Sequence, residues 1–193
     1  GITNISLADV KYAAAWGGVV KLIGQVKMMA NNHLQIIVCP MFISRDCQLS
    51  TVDDVFNGIM VRGDSTGDVV FYGKGAGKLP TASAVVADVI DCVKHFKARK
   101  YLYWEEGSGD YVENYLLNDV AMFVRAKTDC EELGLKNIDQ LFGDVTRLAL
   151  PKADKGEIAF VTGIMQEKEI VEKLAELETL GVSIVNTIRI GDL

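Results

Sequence analysis

The chain has 193 residues, with 20 Lys+Arg against 26 Asp+Glu and a formal net charge of −6; 49% of its residues are hydrophobic and 24% charged. That balance belongs to a folded globular chain and excludes a disordered one. An acidic chain without a basic cluster also excludes a nucleic-acid surface. The longest stretch free of Asp, Glu, Lys and Arg runs from Met28 to Ser44 and is broken by Asn31, Asn32, His33, Gln35 and Pro40, so it is no membrane span.

Ser6-Leu7-Ala8-Asp9 has the form of a capping box, and Ile5 and Val10 fall at hydrophobic-staple positions. The spacing predicts a helix from there to about Trp16, ended by Gly17-Gly18. Val19 to Met29 and Leu34 to Ile43 read as strands around an Asn31-Asn32 turn. Pro40 predicts that the second strand is an edge or ends near it. A short helical turn is expected at Asp53 to Phe56. Gly58 to Arg62 and Asp68 to Tyr72 form a predicted hairpin with its loop at 63–67. Ala82, Val85, Val86, Val89, Ile90, Val93 and Phe96 then fall at helical spacing, which predicts a helix from Pro80 to about Lys97.

Tyr101 to Asn118 is an aromatic and acidic break, read as a crossover between two parts of the chain. Beyond it, Val120–Lys127 is a predicted strand. Glu131–Phe142 is a predicted helix interrupted near Gly134, and Val145–Leu150 and Ile158–Gly163 are predicted strands. Gln166–Leu180 is an amphipathic helix with Ile170, Val171, Leu174, Leu177 and Leu180 on one face. Val182–Ile190 alternates so that Val182, Ile184, Asn186, Ile188 and Ile190 share one side. The order βαββαβ is the ferredoxin-like arrangement.

The four cysteines, Cys39, Cys47, Cys92 and Cys130, form no C-x-x-C pair, and His33 and His95 are the only histidines. They read as reduced thiols of a cytoplasmic protein, three of them buried, with no metal site. Asp91 and His95 stand four apart on the Pro80 helix and read as a solvated pair rather than an acid/base pair. Six of the 18 glycines fall between Gly58 and Gly77. The densest run is Gly73-Lys74-Gly75-Ala76-Gly77-Lys78, after a strand and before a helix, where backbone N–H groups and a positive helix end could meet an anion. It matches neither G-x-G-x-x-G nor a P-loop, so by itself it is equally a tight turn.

The stretch from Tyr72 to Asp88 (YGKGAGKLPTASAVVAD) resembles the G-x-G-A-G-x-x-P-T-A-S-A-V-x-x-D signature of homoserine dehydrogenases. Val20-Lys21-Leu22-Ile23-Gly24, Val38-Cys39-Pro40 and Val55-Phe56-Asn57-Gly58 resemble further family segments in the family's order, over roughly residues 1–97. The resemblance implies an NAD(P)-dependent enzyme interconverting aspartate semialdehyde and homoserine, in threonine and methionine biosynthesis. It places the glycine loop beside the nicotinamide, making Gly75, Ala76, Gly77 and Thr81 the candidate cofactor-proximal residues. The family's nucleotide-binding domain, acid/base lysine and substrate carboxylates lie upstream of the matching segments. The chain is therefore expected to be a C-terminal part, inactive alone, with no catalytic residue assigned in it.

The expected fold is α+β in two domains. Residues 1–108 would be a partial catalytic/dimerisation domain, a mixed sheet with helices on one face. Residues 115–193 would be a βαββαβ module resembling an ACT regulatory domain. ACT domains imply pairing and an amino-acid effector, but the family's D-x-P-G turn is replaced here by Thr128-Asp129-Cys130-Glu131-Glu132. A homo-oligomer, dimer or higher, is expected, with no nucleic-acid or membrane partner. The alternative reading is a stand-alone oligomeric ACT-type regulatory protein in which the glycine loop is only turn architecture.

Overall fold

A computed structural model describes the whole chain except residues 1, 99–102, 105 and 108. The chain forms two compact units, Gly1–Arg45 with Gly109–Leu193, and Asp46–Ser108. This division differs from the expected one at residues 108–115. The first 45 residues belong with the C-terminal part because they share a sheet and a core with it.

In the larger unit, α1 (Leu7–Trp16) starts at the expected capping box on Ser6 and Asp9 and ends at Gly17, whose φ of 98° is left-handed. The strands β1 (Gly18–Met28) and β2 (Leu34–Ser44) pair antiparallel along their whole length. After the crossover come β5 (Asp119–Val120), β6 (Met122–Thr128), α3 (Glu131–Phe142), β7 (Thr146–Leu148), β8 (Glu157–Val161), β9 (Met165–Gln166), α4 (Glu167–Thr179) and β10 (Val182–Ile190). Six strands make one mixed sheet in the order β1-β2-β10-β6-β8-β7. Only the β2–β10 contact is parallel; the other pairings are antiparallel. The expected βαββαβ order is thus present as β6-α3-β7-β8-α4-β10, joined at β10 to the β1–β2 ribbon. Pro40 does not end β2. The β10 strand reaches β2 only at Met41 and Phe42, so the proline nitrogen lies outside that two-residue contact.

Helices cover both faces of this sheet, not one. On one face α3 and α4 bury Ile138, Phe142, Ile170 and Leu177 against Met122, Val124, Ala126, Ile158 and Phe160. On the other, α1 sets Tyr12 and Ala13 against Phe42, Phe123, Ala159, Val161 and Ile188. The alternation along β10 does not persist. A bulge between Ile184 and Asn186 leaves Val185 over, so Val182 and Ile184 face α3 and α4 while Asn186, Ile188 and Ile190 face α1. The α3 helix runs unbroken through Gly134. A Cβ there would stand 3.0 Å from the Thr128 methyl and 3.1 Å from Ile158, so the glycine serves close packing rather than a break. On α4, Ile170 and Leu177 are buried, but Val171 and Leu180 are exposed.

Gly18 opens β1 beneath the Trp16 indole, and a Cβ would collide with that ring and with the Ile43 carbonyl oxygen. Gly18→Ala is expected to cost about 1–3 kcal/mol by overpacking. Urea unfolding measures it, and an unchanged midpoint would mean that Trp16 yields freely.

The smaller unit holds a 3₁₀ turn at Gln48–Thr51, the hairpin β3 (Phe56–Gly63) and β4 (Gly67–Lys74), and α2 (Lys78–Lys94). The helical turn expected at Asp53–Phe56 lies earlier, at Gln48–Thr51, and Asp54 takes a φ of 55°. The α2 helix begins two residues before Pro80 and ends three before Lys97. It contains no buried residue: Val85, Val86, Val89, Ile90 and Val93 are all exposed. Cys92 on α2 and Cys130 at the start of α3 are exposed, so two cysteines, Cys39 and Cys47, are buried rather than three. The expected crossover at Tyr101–Asn118 lies partly outside the described residues. Its described end forms a 3₁₀ turn at Tyr115–Leu117 and bridges to β2 at Leu34 through Val112.

Candidate functional site

The glycine run occupies the bend between β4 and α2. Lys74 is the last residue of β4, Gly75 and Ala76 form the connection, and Gly77 is the N-cap of α2 with φ 116° and ψ 157°. That backbone conformation is essentially reserved for glycine. The Thr81 N–H closes the first turn on the Gly77 carbonyl at 3.1 Å. No side chain caps the helix start, so its first N–H groups face outward with the positive end of a helix of 17 residues behind them. Lys74 and Lys78 flank the bend, and the Lys74 ammonium lies 5.7 Å from the Phe56 ring centroid.

All four candidate residues, Gly75, Ala76, Gly77 and Thr81, therefore fall within one strand–turn–helix corner, open to solvent. The register brings a fifth residue to it. Asn57 on β3 pairs with Gly73, and its carboxamide lies where a Cβ on Gly75 would stand. Gly75 must lack a side chain for this approach, whereas Gly73 has open space where a Cβ would point. Asn57 carried no chemical role in the sequence reading. Its place in the Val55-Phe56-Asn57-Gly58 segment, on the strand partnering the glycine run, was the available signal. Behind the corner Phe56 and Tyr72 stack with centroids 4.8 Å apart, which stiffens the end of the hairpin. At its far end Arg62 donates two hydrogen bonds to Asp68, holding that exposed carboxyl below its usual range.

The Asp91–His95 pair forms no second centre. Asp91 and His95 meet at 3.0 Å with both side chains more than half exposed, as a solvated i, i+4 pair. In the larger unit, the turn expected at an effector site runs from Thr128 to Cys130. The Thr128 hydroxyl accepts from the Cys130 N–H at 3.3 Å. Gly156, with φ 75°, lies against this turn, and its carbonyl accepts from the Thr128 N–H at 2.9 Å. A Cβ on Gly156 would collide with the Thr128 carbonyl oxygen. Among the described residues no helix is long and apolar enough to cross a membrane.

Comparison with known proteins places this corner in a family. Residues 1–90 match the family model described as homoserine dehydrogenase. The homoserine dehydrogenase of Synechocystis sp. is 46% identical over 96 residues, 48% of this chain and 22% of that protein. The homoserine dehydrogenase of Helicobacter pylori is 32% identical over 93% of this chain and 44% of its own length. Among solved structures, a homoserine dehydrogenase from Thiobacillus denitrificans matches all of this chain with a TM-score of 0.78 at 26% identity, over 47% of that molecule. One from S. aureus matches all of it with a TM-score of 0.72 at 27% identity. The relationship is to an oxidoreductase, and it runs through the whole α+β fold. The chain is a relative of the homoserine dehydrogenases, by the family model over residues 1–90, by sequence over 93% of its length and by fold throughout, and it spans less than half the length of these relatives.

Proposed function

We propose that the chain is the part of an NAD(P)-dependent homoserine dehydrogenase that carries the nicotinamide-side glycine corner. The whole enzyme would interconvert aspartate semialdehyde and homoserine in threonine and methionine biosynthesis. The observation that carries this reading is Gly77, held at φ 116° at the uncapped start of α2 inside the family-matched segment. The nicotinamide cofactor would exchange hydride with the substrate, and this chain's contribution is to seat it. Gly75, Ala76 and Gly77 would let backbone approach without a Cβ in the way, the α2 amides would face its anionic part, and Asn57 would hold the bend. The bare apolar residues of α2, Val85, Val89 and Val93 among them, fit a helix made to be covered by further protein.

The chain alone is expected to show no turnover. Supplying the remaining portion of the Helicobacter pylori relative, by co-production or fusion, should restore NADPH-dependent reduction of aspartate semialdehyde. Turnover by the isolated chain would overturn this reading. So would a folded, stable assembly with the added portion that neither binds NADPH nor turns over. The βαββαβ segment fits an ACT-type regulatory module for an amino-acid effector. Gly156 packed on the Thr128 turn supports an effector contact unlike the D-x-P-G one. The stand-alone regulatory reading is disfavoured because β10 and α1 tie this segment into one core with residues of the family-matched part.

The apolar face of β1 and β2 supports the proposed homo-oligomer. Leu22, Val26, Met28, Ile36 and Val38 share one face of that ribbon by register, and all are exposed; Val26 and Val38 are each 66% exposed. An apolar stripe beside an open sheet edge calls for a second copy. The Val26→Glu, Val38→Glu double variant is expected to sediment as a monomer at micromolar concentration with an unchanged far-UV CD spectrum. A wild-type chain that is already monomeric, or a double variant that stays dimeric, would remove this surface from the assembly.

A further inference from the structure

Beneath α1 lies a polar cluster within the otherwise apolar core. Asp9 is fully buried, and Arg125 on β6 and Glu157 on β8 are nearly so. The Arg125 guanidinium spends its fork on three groups. Its Nε donates to Asp9 Oδ1 at 2.8 Å, Nη1 to Glu157 Oε2 at 3.1 Å, and Nη2 to Ser6 Oγ at 3.1 Å. The Tyr12 hydroxyl donates to the other Glu157 oxygen at 2.8 Å. Asn186 on β10 donates to Asp9 Oδ2 and to the Asn4 carbonyl, both at 3.0 Å. Asp9 is the same carboxylate that completes the capping box with Ser6. One guanidinium thus binds the start of α1 to β6 and β8, and Asn186 adds β10 through Asp9.

The rest of α1's attachment is thin. Of its apolar residues Tyr12 and Ala13 are buried and Trp16 is half-buried against Phe42, while Leu7 and Val10 face solvent. A helix with so small an apolar seat belongs to the part of a fold that opens before the core does. Its partner sheet is secured independently by α3 and α4 on the opposite face.

We propose that Arg125 is a clamp that sets whether α1 stays seated, so that the C-terminal β6, β8 and β10 strands control the segment leading into α1. The positions are far apart in the chain: α1 lies within residues 1–90, which match the family model, and Arg125, Glu157 and Asn186 lie beyond them. A displacement of β6 or β8 by about 1 Å would carry these contacts beyond hydrogen-bond reach, and α1 would leave with its capping box. The inference does not require the dehydrogenase reading, since it concerns the fold of this chain alone.

Hydrogen exchange on the chain itself tests it. The variant is Arg125→Met, and the control is Lys127→Met, which breaks the exposed Lys127–Asp154 pair two residues along the same strand. In Arg125→Met the α1 amides of Ala13, Ala14 and Gly17 should exchange about tenfold faster or more, with the Val124 and Phe160 ladder amides changed by less than about twofold. Lys127→Met should leave both sets unchanged. Equal acceleration of helix and ladder amides would make Arg125 a general stabiliser and overturn the clamp, as would unchanged α1 exchange. Should Arg125→Met fail to fold, Asp9→Asn keeps the volume and removes the charge. The same selective release is expected there, and its absence would overturn the proposal equally.

Discussion

Gly77→Val in the complemented enzyme is expected to lower kcat/KM by about 10²-fold or more, the scale of a misplacement of about 1 Å at a reacting centre. The reason is in the backbone. Gly77 sits at φ 116° and ψ 157°, and a branched side chain there costs about 1–3 kcal/mol of local strain, which the bend relieves by moving. Gly75→Val should act by another route, by driving the Asn57 carboxamide out of the bend. Gly73→Ala is the internal control, because nothing stands within 4 Å of where its Cβ would go. Steady-state rates with homoserine and NADP, beside thermal unfolding of each variant, separate the site from the fold. Near-normal turnover in both Gly75→Val and Gly77→Val would remove the corner from the cofactor site.

Phe123→Ala is expected to destabilise the larger unit by about 3–5 kcal/mol, the usual cost of emptying a buried phenylalanine position. Phe123 is fully buried, stacked on Phe42 with centroids 4.5 Å apart and tilted against Tyr12 at 5.6 Å. It therefore touches α1 and β2 from one part of the chain while belonging to β6 in the other. The loss should appear as one transition, followed both by far-UV CD and by the fluorescence of Trp16, which lies 6.0 Å from the Phe42 ring. Residues 109–193 excised alone would expose Phe123, Val161 and Ile188 where α1 and β2 had covered them. Such a piece should lack a cooperative transition. If it unfolds cooperatively at the midpoint of the whole chain, the two parts are separate modules after all.

What the sequence disclosed was local. The Ser6–Asp9 box located α1 to the residue because capping is a contact between neighbours. The bounds of Glu131–Phe142 and Val182–Ile190 were legible from their end residues, although the alternation read along β10 breaks at its bulge. The glycine corner was legible through its signature, although its Asn57 neighbour depended on strand register. Three features needed the whole fold. The β2–β10 contact spans two residue pairs between distant segments, and no pattern in either announces it. The α2 periodicity described an apolar face correctly but could not say whether anything covers it. Gly134 resembled a helix breaker because a sequence does not show the Thr128 and Ile158 side chains pressed against it.

The extra residue in β10 shifts that strand by half a period, much as a dislocation shifts one half of a crystal row. Its first half is then in phase with one layer of helices and its second half with the opposite layer. Substitutions at Val182 or Ile184 can tune the α3–α4 layer, and substitutions at Ile188 or Ile190 the α1 layer, with little crosstalk between them. Deleting Val185 would remove the bulge and leave a regular strand. Asn186 would follow Ile184 directly, still opposite Arg125 and on the α1 side, while Val182 and Ile184 kept the α3–α4 layer and Ile188 and Ile190 the α1 layer. Inserting a further residue there, by contrast, would turn one half of the strand against its own layer.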